Sequence, residues 1–178
     1  MEELKLILPT IEYKEQIEEY KRKMLEAGSS MDGCGPLRHD DFETWLKKCN
    51  DWRKGENLPD GFVQATQYIC VRKKDNKIVG MLQIRHKLND HMLSFAGHIG
   101  DSVAVDERRK GYGKRLLALG LRKCKQLGIE RVLVLCKDTN VASRKCIIAN
   151  GGKYEDTRVG QEKGQSVNLE RYWIDNSK

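Results

Sequence analysis

A short run of basic residues and glycines, Arg108 to Lys114, has the residue types of an anion-binding site. It follows an apolar alternation up to Val105 that is typical of a β-strand, and it precedes a helix with apolar periodicity. The first N–H groups of a helix have no intrahelical acceptor, and the helix dipole adds partial positive charge there. Gly111 and Gly113 remove side chains that would keep a bulky phosphate away. The run therefore predicts a phosphate-binding turn, with a solvated basic loop as the alternative.

The spacing does not match two common nucleotide-binding motifs. A P-loop ends in Gly-Lys-Ser or Gly-Lys-Thr, which this run lacks. The dinucleotide fingerprint needs a third glycine at the position that Leu116 occupies. What remains is Arg108-x-x-Gly111-x-Gly113, after Val-Ala-Val and before a helix.

This pattern resembles the acyl-CoA signature of GNAT-type N-acetyltransferases. Downstream, residues 131–136 are similar to the next strand of that family, and Asn140-Val-Ala-Ser143 is similar to its Asn-bearing helix. The small-residue turn at 151–154 is similar too, so the resemblance covers roughly residues 66–174. It implies an α+β GNAT fold with a mixed, mostly antiparallel sheet of about six to seven strands flanked by about four helices. It also implies one acetyltransferase domain over residues 1–178.

The resemblance implies a function as well. The acetyl group of acetyl-CoA would pass to a primary amine that attacks the thioester directly, with acetyl-CoA as acyl donor and no metal. In the family, the strand pairs with the pantetheine arm, the loop holds the pyrophosphate, and the Asn-bearing helix makes later contacts. Carried onto this chain, the cofactor-binding residues are Val103, Ala104, Val105, Arg108, Arg109, Lys110, Gly111, Tyr112, Gly113, Lys114, Asn140, Ser143 and Lys145. A non-catalytic acyl-CoA binding or sensing module of the same fold is the alternative.

Two residues near the loop are candidates for the catalytic base that takes the proton of the amine, His98 and Asp101. Imidazole has the better-matched ordinary pKa. Strand alternation places the two side chains on opposite faces unless a bulge intervenes. Gly97 and Gly100 suggest such a bulge, or a close backbone approach. A structural role for either candidate, or a water chain to a more distant carboxylate, stays open.

The acid that would protonate the leaving thiolate is harder to place. Many relatives carry a Tyr seven residues after the Asn, and this chain has Ile147 there, next to Cys146. Tyr112, Tyr154 and Tyr172 are further candidates if the fold brings one of them to the sulfur. Direct capture of the amine proton by the thiolate would need no residue.

Periodicity predicts the elements that position these residues. A first helix would start at a Thr10 cap, and a second would start at a capping box of Asp40 and Glu43. A loop is expected from Gly160 to Gln165. The predicted strands are 3–8, 68–71, 77–84, 98–105, 131–136, 154–158 and 167–174, and the later helices are 111–127 and 141–150.

Composition narrows the function classes. No apolar run approaches the ~20 residues of a membrane span, so we expect no membrane partner and a cytoplasmic location. The net charge of +7 is spread along the chain, which makes nucleic acid an unlikely partner. The six cysteines have no metal-site spacing with the histidines. The acceptor is expected to be a small-molecule or peptide amine, and the terminal strands could form a homodimer edge.

Overall fold

The computed structural model describes residues 2–177, which form seven strands and five α-helices. Short 3-10 turns occur at 11–13, 35–38 and 105–107. In chain order the elements are β1 (Leu4–Ile7), α1 (Lys14–Glu26), α2 (Phe42–Lys54), β2 (Ala65–Arg72), β3 (Lys77–Arg85), α3 (Asp90–Phe95), β4 (Ile99–Val103), α4 (Tyr112–Gln126), β5 (Arg131–Lys137), α5 (Val141–Ala149), β6 (Lys153–Glu162) and β7 (Gln165–Asp175). The predicted α+β class is confirmed.

The strands form two sheets, with the orders β1-β2-β3-β4 and β5-β7-β6, and every pairing is antiparallel. β4 and β5 are edge strands that meet at one end. There the His98 N–H donates to the Leu133 carbonyl at 2.8 Å, and the Leu133 N–H donates to His98 Nδ1 at 2.9 Å. Within residues 2–177 no ladder continues between β4 and β5. The expected single sheet is therefore divided, and β4 keeps one edge without a strand partner.

Two layers of helices cover the first sheet. On one face of the sheet, α1 and α2 contribute the fully buried Ile17, Met24 and Trp45 to one hydrophobic core cluster. On the other face, α4 contributes Leu116 and Leu117 to a second hydrophobic core cluster. All eight residues of β2 are buried, as expected of a strand that lies between two layers.

The helix caps differ from the sequence predictions. Thr10 makes no side-chain cap bond and precedes a 3-10 turn. The cap of α2 is Asp41, whose carboxylate accepts from the Thr44 N–H at 2.7 Å. Asp40 instead accepts from Lys48 at 2.8 Å, so the helix starts one residue later than the predicted capping box.

The last hairpin is longer than its sequence predicts. Lys163 and Gly164 have φ of 50° and 76°, as two-residue hairpin turns require, so the expected loop from Gly160 to Gln165 is mostly strand. The predicted helix over 111–127 is one residue shorter at its C-terminus, because α4 ends at Gln126, and Leu127 beyond it is 39% exposed.

The glycines around β4 mark close approaches of backbone, and no bulge occurs. The register from Gly80↔Val103 to Ile84↔Ile99 is regular. Gly33, with φ of +74°, lies so close to β4 that an added Cβ would be 2.3 Å from the Gly100 carbonyl oxygen. The backbone of the loop between α1 and α2 therefore packs directly against the backbone of β4.

We expect Gly33→Ala to lower the free energy of unfolding by about 3 kcal/mol, because it adds a steric clash to left-handed backbone strain. Gly28→Ala is the matched control, since Gly28 has φ of +64° but open space around it, and it should cost only about 1 kcal/mol. Urea unfolding of both variants measures the difference. Equal losses would show that the contact with Gly100 has no energetic role.

Candidate active site

The turn between β4 and α4 has the backbone conformation of an anion site. After the 3-10 turn at Val105–Glu107, Arg108 is extended, and Arg109 and Gly111 have φ of 64° and 79°. A left-handed conformation is uncommon for a non-glycine residue such as Arg109. Such alternations turn successive N–H groups toward a common side and form anion-binding concavities.

The amides of this turn have no hydrogen-bond acceptor in the described part of the chain. Among residues 2–177, no acceptor is found for the N–H groups of Arg108, Arg109, Lys110 and Gly111. Residues 112–114 form the first turn of α4, where N–H groups have no intrahelical acceptor. A Cβ added to Gly111 would meet nothing within 4 Å. The turn therefore presents unpaired donors to open space, which suits a diphosphate.

The basic side chains of the turn divide into two groups. Lys110 is bonded to Glu107 at 2.9 Å, and the Arg108 Nε donates to the Val103 carbonyl at 3.3 Å. Arg109 and Lys114 are exposed and have no bonded partner within the described chain. These two cations are the ones available to an anion at the turn.

Glu107 anchors the turn to the first sheet. Its side chain is almost fully buried and accepts from Lys77 at 2.8 Å, from Arg72 at 2.9 Å and from Lys110. Burial alone would raise the pKa of Glu107, but these three cations outweigh it and lower the pKa to about 2. Glu107 is thus ionised at neutral pH and fixes the start of the turn.

The free edge of β4 presents alternate backbone groups. At its two ends, the Arg85 N–H donates to the His98 carbonyl, and the Ala104 N–H donates to the Val79 carbonyl. Hydrogen-bonded pairs alternate along an antiparallel ladder. Residues of even number therefore pair with β3, while Asp101 and Val103 direct their backbone groups away from it.

The alternation of paired and unpaired backbone groups determines which residues of β4 can offer a backbone contact to the cofactor. The N–H of Val103 points away from β3, which is compatible with the predicted contact. Ala104 is buried, its N–H is bonded to Val79 and its carbonyl accepts from Glu107, so its backbone groups are already engaged and its contact with the cofactor stays a prediction. Val105 lies in the 3-10 turn and packs beside the second core cluster, outside the strand.

Asp101 is a carboxyl group without a partner. It is half-buried on β4, and no side-chain hydrogen bond or ion pair of Asp101 exists among residues 2–177. Burial, together with the nearby charge of Asp32, raises its pKa to about 7. The group can therefore exchange a proton near neutral pH.

His98 occupies a structural position. Its side chain is buried, and Nδ1 accepts the Leu133 N–H that joins the two sheets. Burial lowers its pKa to about 4, and the charge of Arg85 contributes. The imidazole is therefore neutral at physiological pH with one nitrogen in use. Because β4 is regular, His98 and Asp101 face opposite sides and do not act together.

The tyrosines that could protonate the leaving thiolate are hydrogen-bonded to other groups. Ile147, at the position where relatives carry a tyrosine, is buried in the core. Tyr112 bonds to Arg72 at 3.1 Å, and Tyr172 donates to Glu170 at 2.8 Å. The remaining hydroxyl, on the exposed Tyr154, pairs with Thr157.

Cys146 and the start of α5 border the turn. A Cβ added to Gly113 would lie 3.2 Å from Cys146 Sγ. Burial raises the pKa of this thiol, and Asp101 adds to the effect, so the thiol is protonated at neutral pH. Asn140 Oδ1 caps α5 by accepting the Ser143 N–H at 3.1 Å, which leaves the Asn140 amide nitrogen for another contact. Lys145 is exposed on the same helix.

Comparison with known proteins agrees with this geometry. The model of the acetyltransferase (GNAT) family matches residues 34–148. The chain belongs to this family and is an acetyl-CoA-dependent N-acetyltransferase. No curated protein matches the sequence significantly.

Solved structures share the fold at low sequence identity. A ribosomal-protein-S5-alanine acetyltransferase from Vibrio fischeri has a TM-score of 0.74 at 17% identity, over 99% of this chain and 94% of that one. A ribosomal L7/L12 alpha-N-protein acetyltransferase in complex with coenzyme A has a TM-score of 0.72 at 17% identity, over 98% and 96%. A spermidine N-acetyltransferase chimera that derives in part from Vibrio cholerae has a TM-score of 0.68 at 13% identity, over 98% and 96%.

Among residues 2–177, no helix is long and apolar enough to cross a membrane. Within the same part of the chain, no cluster of three or more His, Cys, Asp or Glu side chains is placed to bind a metal ion.

We expect Glu107→Gln to lower the free energy of unfolding by about 3 kcal/mol, because it breaks the buried ion pair between Glu107 and Arg72. It should also weaken acetyl-CoA binding, because the turn loses its anchor. Asp106→Asn is the matched control, since exposed Asp106 shares Lys77 with Glu107, and it should change stability by only about 0.5 kcal/mol. Thermal unfolding and calorimetry measure both effects. Identical behaviour of the two variants would contradict the anchoring role.

The free cations give a second prediction. Arg109→Gln and Lys114→Gln should each weaken acetyl-CoA binding about three- to tenfold at low salt, because each removes one screened charge contact. Arg122→Gln, an exposed and unpaired position on α4, is the control and should have no effect. Calorimetric titrations at two salt concentrations measure the losses. Losses that do not shrink with added salt would argue against a phosphate contact.

Proposed function

We propose that this site transfers the acetyl group directly from acetyl-CoA to a primary amine, with Asp101 as the general base. The observation that carries the proposal is the unpartnered carboxyl of Asp101 on the free edge of β4, next to the unpaired amides of the turn. A base is most effective when its pKa lies near the working pH, and the pKa of Asp101 is about 7.

The coenzyme would be held by backbone more than by side chains. The N–H groups from Arg109 to Lys114 take the pyrophosphate, and Val103 pairs with the pantetheine arm. The free amide nitrogen of Asn140 and the side chains of Ser143 and Lys145 add contacts from α5. Bound acetyl-CoA supplies the acetyl group as a thioester. No metal has a part in this scheme.

Asp101 then moves the proton. Its carboxylate oxygen accepts a proton from the incoming ammonium, which frees the nitrogen lone pair for attack. The nearby Tyr20 hydroxyl is bonded to Ser102 of β4, so we assign no side chain as a dedicated acid. The proton released from nitrogen returns to the departing sulfur, directly or through Asp101.

The acceptor is a small-molecule or peptide amine. The named acetyltransferases of this fold act on protein amino groups and on spermidine, so the architecture admits both kinds. An unpaired carboxyl group at the strand edge attracts an ammonium group in either case.

A non-catalytic acyl-CoA module is the second candidate. Ile147, at the position of the family's usual tyrosine, is the observation in its favour. Release of free thiol from acetyl-CoA in the presence of a broad amine panel separates the two functions. Tight binding of acetyl-CoA with no thiol release would favour the module.

We expect Asp101→Asn to lower kcat about 100- to 10,000-fold while acetyl-CoA binding persists, because the amide cannot accept a proton. The base acts in its deprotonated form, so wild-type activity should rise with pH through about 7 and then level off. The variant should lose this dependence. Asp60→Asn, at an exposed acid without a bonded partner in the described chain, is the control. A wild-type profile that is flat through pH 7 would exclude Asp101 as the base.

A further inference from the structure

The outer edge of β6 has no strand partner within residues 2–177, because β6 ends the second sheet and pairs only with β7. On β7, the Asn168 carbonyl accepts the Asp138 N–H at 3.1 Å, so the backbone of Asn168 points away from β6. Paired groups alternate along an antiparallel ladder. Val159, which lies opposite Asn168, and Thr157 therefore direct their N–H and carbonyl groups outward. No described residue pairs with these groups.

A bulge decides which side chains share a face of this edge. The register with β7 skips Glu155, between Tyr154 and Asp156. Tyr154 therefore lies on the same face as Thr157, and the two hydroxyl groups are 2.9 Å apart. Val159, two residues beyond Thr157, lies on this face as well. Because Tyr154 and Val159 are 57% and 63% exposed, two large apolar side chains flank Thr157 on the open edge.

The opposite face carries one acid and one base at matching positions. Asp156 and Arg158 lie one residue before and one residue after Thr157, and both side chains are 41% exposed. Arg171 donates to the Asp156 carboxylate at 2.9 Å, and Arg158 Nη1 donates to Ser94 at 2.8 Å. The distance from Arg158 Nε to Asp156 Oδ2 is 3.5 Å, a weak contact. Both groups therefore keep exposed surface for a further partner.

These positions are complementary to themselves under a two-fold rotation. If two copies of β6 lie antiparallel about an axis through Thr157, Asp156 of each copy faces Arg158 of the other. With the bulge residue left out of the count, Tyr154 of each copy faces Val159 of the other. Opposite charges and aromatic–β-branched pairs are both favourable across neighbouring strands. A two-fold interface requires this kind of self-complementary patch.

We propose that the outer edge of β6 binds a second copy of this chain. The Thr157 N–H of each copy donates to the Thr157 carbonyl of the other, and the outward groups of Tyr154 and Val159 continue the ladder. The two second sheets become one sheet of six strands, in the order β5-β7-β6-β6-β7-β5. Its two ends are the β5 strands that adjoin β4, so the two acetyl-CoA sites stay apart. The inference does not depend on the chemistry proposed for Asp101.

The test compares two proline variants of the same strand. Thr157→Pro removes the N–H group at the axis, and proline is tolerated on an edge strand where that group faces outward. Gln161→Pro is the matched control, because Gln161 is exposed and its N–H also faces outward. The rotation places Gln161 opposite Gly152, which precedes β6, so it lies outside the paired stretch. Sedimentation of each protein is measured up to millimolar concentration, and thermal unfolding shows that each is folded.

We expect the wild type to form a dimer whose fraction rises with concentration. Thr157→Pro should weaken the dimer about 10- to 100-fold, because it removes two backbone hydrogen bonds, one from each copy. Gln161→Pro should associate as the wild type does. Arg158→Glu places an acid opposite Asp156 of the other copy and should weaken the dimer about tenfold at low salt and less at high salt.

A cysteine at the axis gives a second measurement. Only a residue on the axis faces its own copy, and hydrogen-bonded antiparallel residues have Cα atoms about 5.5 Å apart, within the range of a disulfide. With oxidised glutathione as the oxidant, Thr157→Cys should give a covalent dimer on a non-reducing gel. Gln161→Cys and the wild type, which has six cysteines of its own, should remain single chains.

A wild type that stays monomeric at every concentration would overturn the inference. So would a dimer that persists in folded Thr157→Pro, equal weakening by the two proline variants, or equal cross-linking of the two cysteine variants. If Thr157→Pro does not fold, the cross-linking result decides. Binding of acetyl-CoA and release of thiol are measured separately, so a monomeric wild type would leave the proposed transferase function standing.

Discussion

The separation of β4 from β5 is the constraint on which the site depends. A β-strand exposes backbone donors and acceptors on both edges, and an edge without a partner is costly unless something else pairs with it. In this protein the two sheets are fastened at one end by His98 and Leu133 and are not paired beyond it. The free edge of β4 leads directly into the turn with unpaired amides. A single extended ligand with amide and phosphate groups can satisfy both features.

The distribution of charge around the turn serves the same purpose. Glu107 uses Lys77, Arg72 and Lys110 to hold the backbone in place, and these cations are then unavailable to a ligand. The side chains of Arg109 and Lys114 make no hydrogen bond or ion pair within the described chain. The turn thus separates the side chains that fix its shape from those that can attract an anion.

Asp101 shows the opposite arrangement, in which an ionisable side chain has no hydrogen bond or ion pair among residues 2–177. It is desolvated, and its pKa is displaced toward the neutral form. Such a position lowers stability, and it is typical of functional sites because a substrate can supply the missing interaction. His98, by contrast, uses the Nδ1 of its imidazole within the fold, and for this reason we propose Asp101 as the base despite the favourable ordinary pKa of histidine.

The sequence by itself determined the α+β elements, the glycine turn and the helix after it, because these follow from local periodicity and from backbone preferences that act within a few residues. It also offered His98 and Asp101 as candidates for the base, beside a water chain to a more distant carboxylate. Only the tertiary structure distinguishes the surroundings of the two residues, because these depend on burial, on Leu133 from β5 and on Asp32 from the loop after α1. The division of the sheet, the engagement of Ala104 and the closeness of Gly33 to Gly100 likewise come from contacts between residues far apart in the chain.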